Sequence, residues 1–113
     1  MPSDILVKAK FFRGLADPTR LSVLNALLDS EKSVGETVKL TQKSQSNVSN
    51  HLKCLYECGL VKKRREGKKV LYSIRHQDTK KLLQLSEKIL LDVYSQIAAC
   101  IKYGGKDNED SST

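Results

Sequence analysis

Through the first half of the chain the apolar positions keep a helical rhythm. From residue 3 to 15, Ile5, Leu6, Ala9, Phe12 and Leu15 or Ala16 recur at spacings of three and four, which predicts an amphipathic helix ending near Gly14. Asp17-Pro18 places an acceptor at a cap and a proline at a first turn, so a second helix is expected there, with Leu21, Leu24, Leu27 and Leu28 on one face. Asp29 to Ser33 breaks it. A short helix over Val34 to Leu40 should hold Val34 and Val38 inward, and Thr41 to Ser44 makes a polar turn. The next helix is expected from Gln45 to Glu57, stopped at Gly59 by a left-handed cap.

After Leu60 the rhythm changes from helical to alternating. Val61 and then Val70, Tyr72 and Ile74 flank a turn at Glu66-Gly67, which predicts a β-hairpin. A final helix over about Asp78 to Tyr103 carries Leu82, Leu85, Ile89, Val93 and Ile97 on one stripe, widened by Leu83, Leu90, Leu91, Tyr94 and Ala98. One small domain cannot cover so broad a face. A second copy of the chain is expected against it, with Ile5 and Phe12 of the first helix adding to the contact. Gly104-Gly105 is expected to end this helix. The chain thus divides into a folded domain over 1–103 and a polar, net negative, disordered tail over 104–113.

Composition fits this picture. The chain has 113 residues, enough for one domain, and 31 of them are Leu, Ile, Val or Phe, well above the ~20% floor below which chains tend to stay unfolded. A core of this size stabilises only modestly, which again favours a dimer. Lys and Arg number 20 against 13 Asp and Glu, a net charge of +7. Seven of the basic residues lie within Lys62 to Arg75 beside the single Glu66, so nearly all the excess sits on the hairpin. Such a localised charge points to a polyanion. No stretch approaches ~18 apolar residues and no leader pattern opens the chain, so no membrane partner and a cytoplasmic location are expected.

Two helices joined by a polar turn and followed by a basic hairpin are the element order of a winged helix-turn-helix. The expected fold is therefore mainly α with a β-hairpin wing, homodimeric through its terminal helices. At about 100° per residue from Val48, Leu52 and Leu55 share a core face, and Ser46, Asn50, Lys53 and Glu57 point away from it. Gln45, Ser46, Ser49 and Asn50 offer hydrogen bonds to base edges and phosphates, and Lys53 reaches the backbone. In the wing, Arg64, Arg65, Lys68 and Lys69 are the candidate phosphate contacts. A polar helix face standing alone is ordinary solvated surface, and lysines on an edge strand ordinary solubilising charge. The helix, turn, helix and basic hairpin in this order favour double-stranded DNA as the partner.

Three cysteines, an odd count, argue against a disulfide framework and leave packing thiols, a redox switch or metal ligands. Cys54 and Cys58 are one turn apart on the presumed reading helix, on a flank between its core and DNA faces, and one soft ion can bridge such a pair. Cys100 lies beside the dimer stripe of the last helix. Three thiolates suit a large thiophilic cation, Cd(II) or Pb(II), better than a hard ion, although arsenite also favours three sulfurs. Zn(II) would need a fourth ligand, for which His51 would have to turn inward.

Phe11 to Arg20 (FFRGLADPTR) and Ser44 to Val61 (SQSNVSNHLKCLYECGLV) resemble the ArsR/SmtB family of metal-responsive repressors, over about residues 5 to 103. Within it, Cys54, Cys58 and Cys100 resemble the ligand set of a cadmium- and lead-sensing branch. The resemblance implies a dimer that occupies a palindromic operator when metal-free and leaves it when metal binds, with the C-terminal cysteine reaching the other protomer. The Cys-Val-Cys segment of another branch is missing from Val34 to Leu40 (VGETVKL). So is the Asp-x-His and His-x-x-Glu set of the zinc and cobalt sensors, since Lys80 follows Asp78 and Leu91 and Tyr94 stand at the later positions. The competing readings are a regulator sensing As(III) or oxidants through its cysteines, and a basic architectural DNA- or RNA-binding module with no inducer. No acid and base pair, phosphate-cradling glycine loop or nucleophile with a local partner appears, so neither an enzyme nor an organic cofactor is expected.

Overall fold

The structure is a computed structural model that describes residues 4–110; the side chains of 95, 98 and 100–110 lie outside the described residues. The elements run α1 (Ile5–Leu15), α2 (Pro18–Ala26), β1 (Lys32–Ser33), α3 (Val34–Thr41), α4 (Gln45–Glu57), β2 (Val61–Glu66), β3 (Lys69–Ile74) and α5 (Gln77–Asp110). Two compact units result, 1–80 and 81–113.

In the first unit each helix starts where a short polar side chain satisfies free backbone donors. Asp4 accepts from the backbone N–H of Leu6, Asp17 from Arg20 with Pro18 in the first turn, Ser33 from Glu36, and Ser44 from Asn47. At α3 the Glu36 carboxylate also accepts from the Ser33 backbone N–H at 2.8 Å, completing a reciprocal cap. The end of α4 is set by Gly59 at φ +81°. There the N–H of Leu60 donates to the Leu55 carbonyl and that of Gly59 to the Tyr56 carbonyl, the paired closure that a left-handed residue permits. The N–H of Arg75 then donates to Leu60 at 3.0 Å, tying the hairpin to the end of the helix.

The core is formed by Val23 and Leu24 of α2 and Leu27 at its C-terminal cap, Val48, Leu52 and Leu55 of α4, and Val61, all fully buried or within 1% of it. Several expectations are corrected in detail. In α3 the buried side chain is Thr37, while Val34 and Val38 are only half-buried. Thr37 can occupy that place because its hydroxyl donates to the Ser33 carbonyl at 2.8 Å and is therefore satisfied. The hairpin is joined by β1, so the sheet has three antiparallel strands in the order β1-β3-β2. The central strand β3 buries Leu71 on one face and Ile74 on the other, and Val70 and Tyr72 remain half-buried. Val61 faces Ile74 and Glu66 faces Lys69 in an uninterrupted register, with Gly67 at φ +63° in the turn.

From residue 81 on, α5 forms the second unit; its backbone departs from helical values at Val93 (φ −117°, ψ 15°). Its bounds extend past Gly104-Gly105, where the sequence pattern places its end; glycine lowers helix propensity by about 1 kcal/mol but does not forbid the helix. Leu83 is buried, whereas Leu85, Ile89, Leu90, Leu91, Tyr94 and Ile97 are exposed. No described helix is long and apolar enough to cross a membrane.

Candidate functional site

Helix α4 is held by one face and offers the other. With Val48, Leu52 and Leu55 locked in the core, Gln45, Ser46, Asn50 and Lys53 are exposed and Ser49 is half-buried. The exposure of Ser46, Asn50 and Lys53 is what the helical spacing predicts. Beside them the wing exposes Arg64, Arg65, Lys68 and Lys69. Lys63 places its ammonium 4.3 Å from the centre of the Tyr56 ring, a cation–π contact between the wing and the last turn of α4.

Arg64 is less free than its position on a basic strand suggests. Its Nε and Nη2 donate to the two carboxylate oxygens of Glu31 at 2.9 and 2.6 Å, and Nη2 lies 3.7 Å from Glu66. The hydrogen bond from Arg64 holds the Glu31 carboxyl below the usual carboxylate range. A phosphate would thus compete with a forked ion pair for this guanidinium.

On the flank of α4, Cys54 is half-buried and Cys58 exposed, and both are free thiols. They line a cavity of about 430 Å³ whose apolar wall includes Val7 and Phe11 of α1 together with Leu55 and Leu60. Arg20 and His76 border the same cavity. Partial burial pushes the Cys58 thiol above the usual thiol range; the neighbouring Cys54 adds to this and the Arg20 guanidinium opposes it. Arg20 also approaches Cys54 directly, with Nη2 3.7 Å from Sγ, while Nη1 donates to the Gly14 carbonyl at 2.8 Å.

Two thiols one turn apart, open to solvent through a cavity, are a soft donor set suited to a thiophilic cation. Among the described residues no group of three His, Cys, Asp or Glu is placed to hold a metal ion. His51 lies 3.9 Å from the Asp17 carboxylate at the start of α2. The side chain of Cys100, the third expected ligand, lies outside the described residues. Arg20 and Glu31 escaped the sequence reading, because their partners lie 34 and 33 residues away and no helical or strand spacing links them.

Residues 17–63 match the bacterial regulatory protein arsR family. A probable mercury resistance operon repressor of Streptomyces lividans is 39% identical over 89% of this chain and 81% of its own length. The transcriptional regulator CmtR of Mycobacterium bovis is 47% identical over 58% of this chain and 56% of its own. Among solved structures, a homodimeric winged helix-turn-helix DNA-binding domain from Mycobacterium bovis is 30% identical, covers 78% of this chain and 81% of that one, and superposes with a TM-score of 0.66. The chain belongs to the arsR family of winged helix-turn-helix, DNA-binding transcriptional regulators.

Proposed function

We propose that this chain is a cytoplasmic, homodimeric repressor that occupies palindromic operator DNA when metal-free and is released by a soft metal ion, Cd(II) or Pb(II), held by Cys54, Cys58 and Cys100. The observation that carries this reading is that Cys54 rides on α4 and Cys58 caps its C-terminal end, on the flank of the same helix that presents Gln45, Ser46, Ser49, Asn50 and Lys53. Occupancy of the thiols and contact with bases are therefore properties of one rigid element. A relative named for a mercury resistance operon accords with a thiophilic inducer.

The chain's own residues have distinct tasks in this scheme. Residues of the first turns of α4 read the major groove, while Arg65, Lys68, Lys69 and an exchanged Arg64 contact phosphates beside it. The ion supplies a cross-link between thiolates once their protons are lost. Cys54 and Cys58 anchor it on the reading helix, and Cys100 ties that helix to α5, which biases the dimer away from the spacing of two adjacent half-sites.

Gel shift of the operator with Cd(II), Pb(II), Hg(II) and As(III), for the parent and for Cys54→Ser, Cys58→Ser and Cys100→Ser, tests this. Cd(II) should release the parent, and each serine variant should bind DNA normally yet stay bound when the ion is added. A Cys100→Ser protein with the full cadmium response would overturn the three-sulfur site. Lack of preference for a palindrome over random duplex at matched salt would overturn the operator reading.

A further inference from the structure

Arg20 stands in the first turn of α2, yet its guanidinium is bound to two other helices. One end of the planar fork donates to the carbonyl of Gly14, in the last turn of α1, at 2.8 Å. The other end faces Sγ of Cys54 on α4 at 3.7 Å. Nε is buried and has no hydrogen-bond partner among the described residues. We propose that Arg20 is a positioning residue that carries the ligand state of the Cys54 thiol to the C-terminal end of α1, and so couples the thiol site to the dimer surface.

The argument is one of unequal acceptors. A protonated thiol is a weak acceptor, whereas a sulfur that has lost its proton to a bound cation keeps negative charge and accepts a charge-assisted hydrogen bond more strongly. Ligation at Cys54 therefore raises the pull on one prong of a rigid fork. The unused Nε–H lets the guanidinium pivot towards the stronger acceptor without giving up a bond there. The other prong cannot stay still. It holds a carbonyl at the negative end of α1, where a cation is stabilising because the last backbone acceptors of a helix lack intrahelical partners.

What α1 carries makes the link consequential. Ile5, Leu6, Val7 and Phe12 are more than half exposed, an apolar face on the helix expected to meet the second protomer. The cavity beside Cys54 reaches the same helix through Val7 and Phe11, so an ion can approach the sulfur from solvent at the point where Arg20 grips it. The inference rests on the metal-released reading above and adds the residue through which the release is transmitted.

The test measures operator affinity by fluorescence anisotropy with and without saturating Cd(II), for the parent, Arg20→Lys and Arg20→Gln. Sulfur-to-cadmium absorption gives the metal affinity of each separately. A coupling of ordinary size weakens the parent's operator binding by about 5- to 150-fold on metal addition. In both variants the ratio should fall below that range while cadmium still binds and the metal-free proteins still hold DNA. Lysine tests the fork itself, since one ammonium keeps the charge but cannot span both partners. In the parent, Cd(II) should also shift the carbonyl ¹³C resonance of Gly14, and Arg20→Lys should abolish that shift. This second measurement decides the matter if Arg20→Gln does not fold. A full release ratio in Arg20→Lys, or a Gly14 carbonyl blind to cadmium in a parent that is released, overturns the role of Arg20 alone. A parent that cadmium does not release overturns both this role and the reading beneath it.

Discussion

Cys58 shows how much a single side chain's surroundings decide. Desolvation and the adjacent Cys54 both disfavour its thiolate, and Arg20 only partly offsets them. The thiol therefore stays protonated to a higher pH than a free cysteine, and the thiolate is the species that reacts. In metal-free protein, iodoacetamide should label Cys58 more slowly than a free thiol at the same pH, with the rate still climbing above the usual thiol range. Cys54→Ser removes the neighbour's contribution and should speed labelling of Cys58, as peptide mass spectrometry would show. Unchanged labelling in that variant would mean that burial alone sets the reactivity. The pairing of Cys54 with Cys58 was legible in the sequence, because one helical turn guarantees their proximity whatever the rest of the fold does. The contact of Arg20 with Cys54 was not, since it depends on how α2 packs against α4.

The same division appears among the elements. Helix α4 was legible to the residue because its cap at Ser44, its apolar triad and its stop at Gly59 all act locally and agree. Strand β1 was not, because two residues carry no periodicity and their pairing with Leu71 and Tyr72 is settled by tertiary contact. That short strand also brings Glu31 to the wing, where it ties up Arg64. Glu31→Gln should loosen the fork on Arg64 and remove a negative charge near the DNA surface. Operator binding should tighten at low salt, and the slope of log affinity against log salt should steepen by up to about 0.9, the value of one additional phosphate contact. An unchanged slope would show that Arg64 serves the sheet and not the DNA. The carboxyl of Glu31 is held low by Arg64, so this ion pair persists at neutral pH and is lost as pH falls through that depressed value.

At the scale of the whole molecule, α1 and α5 each leave apolar side chains open to solvent. Leu85 is 53% and Ile89 59% exposed, on a helix whose spacing already set them on one stripe. Burying side chains of this kind contributes about 1.5–3 kcal/mol each, so a pairing that covers several of them outweighs much of the cost of association. A homodimer is the occupant proposed here for Ile5, Phe12, Leu82, Leu85, Ile89, Val93 and Ile97. Leu85→Glu and Ile89→Glu test it cleanly, because glutamate is a good helix former and both positions face solvent in the single chain. Each substitution should leave helix content unchanged by circular dichroism and convert a dimer to a monomer in sedimentation. Its melting temperature should also lose the dependence on protein concentration expected of the parent. A monomer must bind its two half-sites independently, so operator affinity should fall by about 10²- to 10⁴-fold while binding to a single half-site changes little. If both variants sediment as dimers and hold the operator as the parent does, the second protomer does not sit on the α5 stripe.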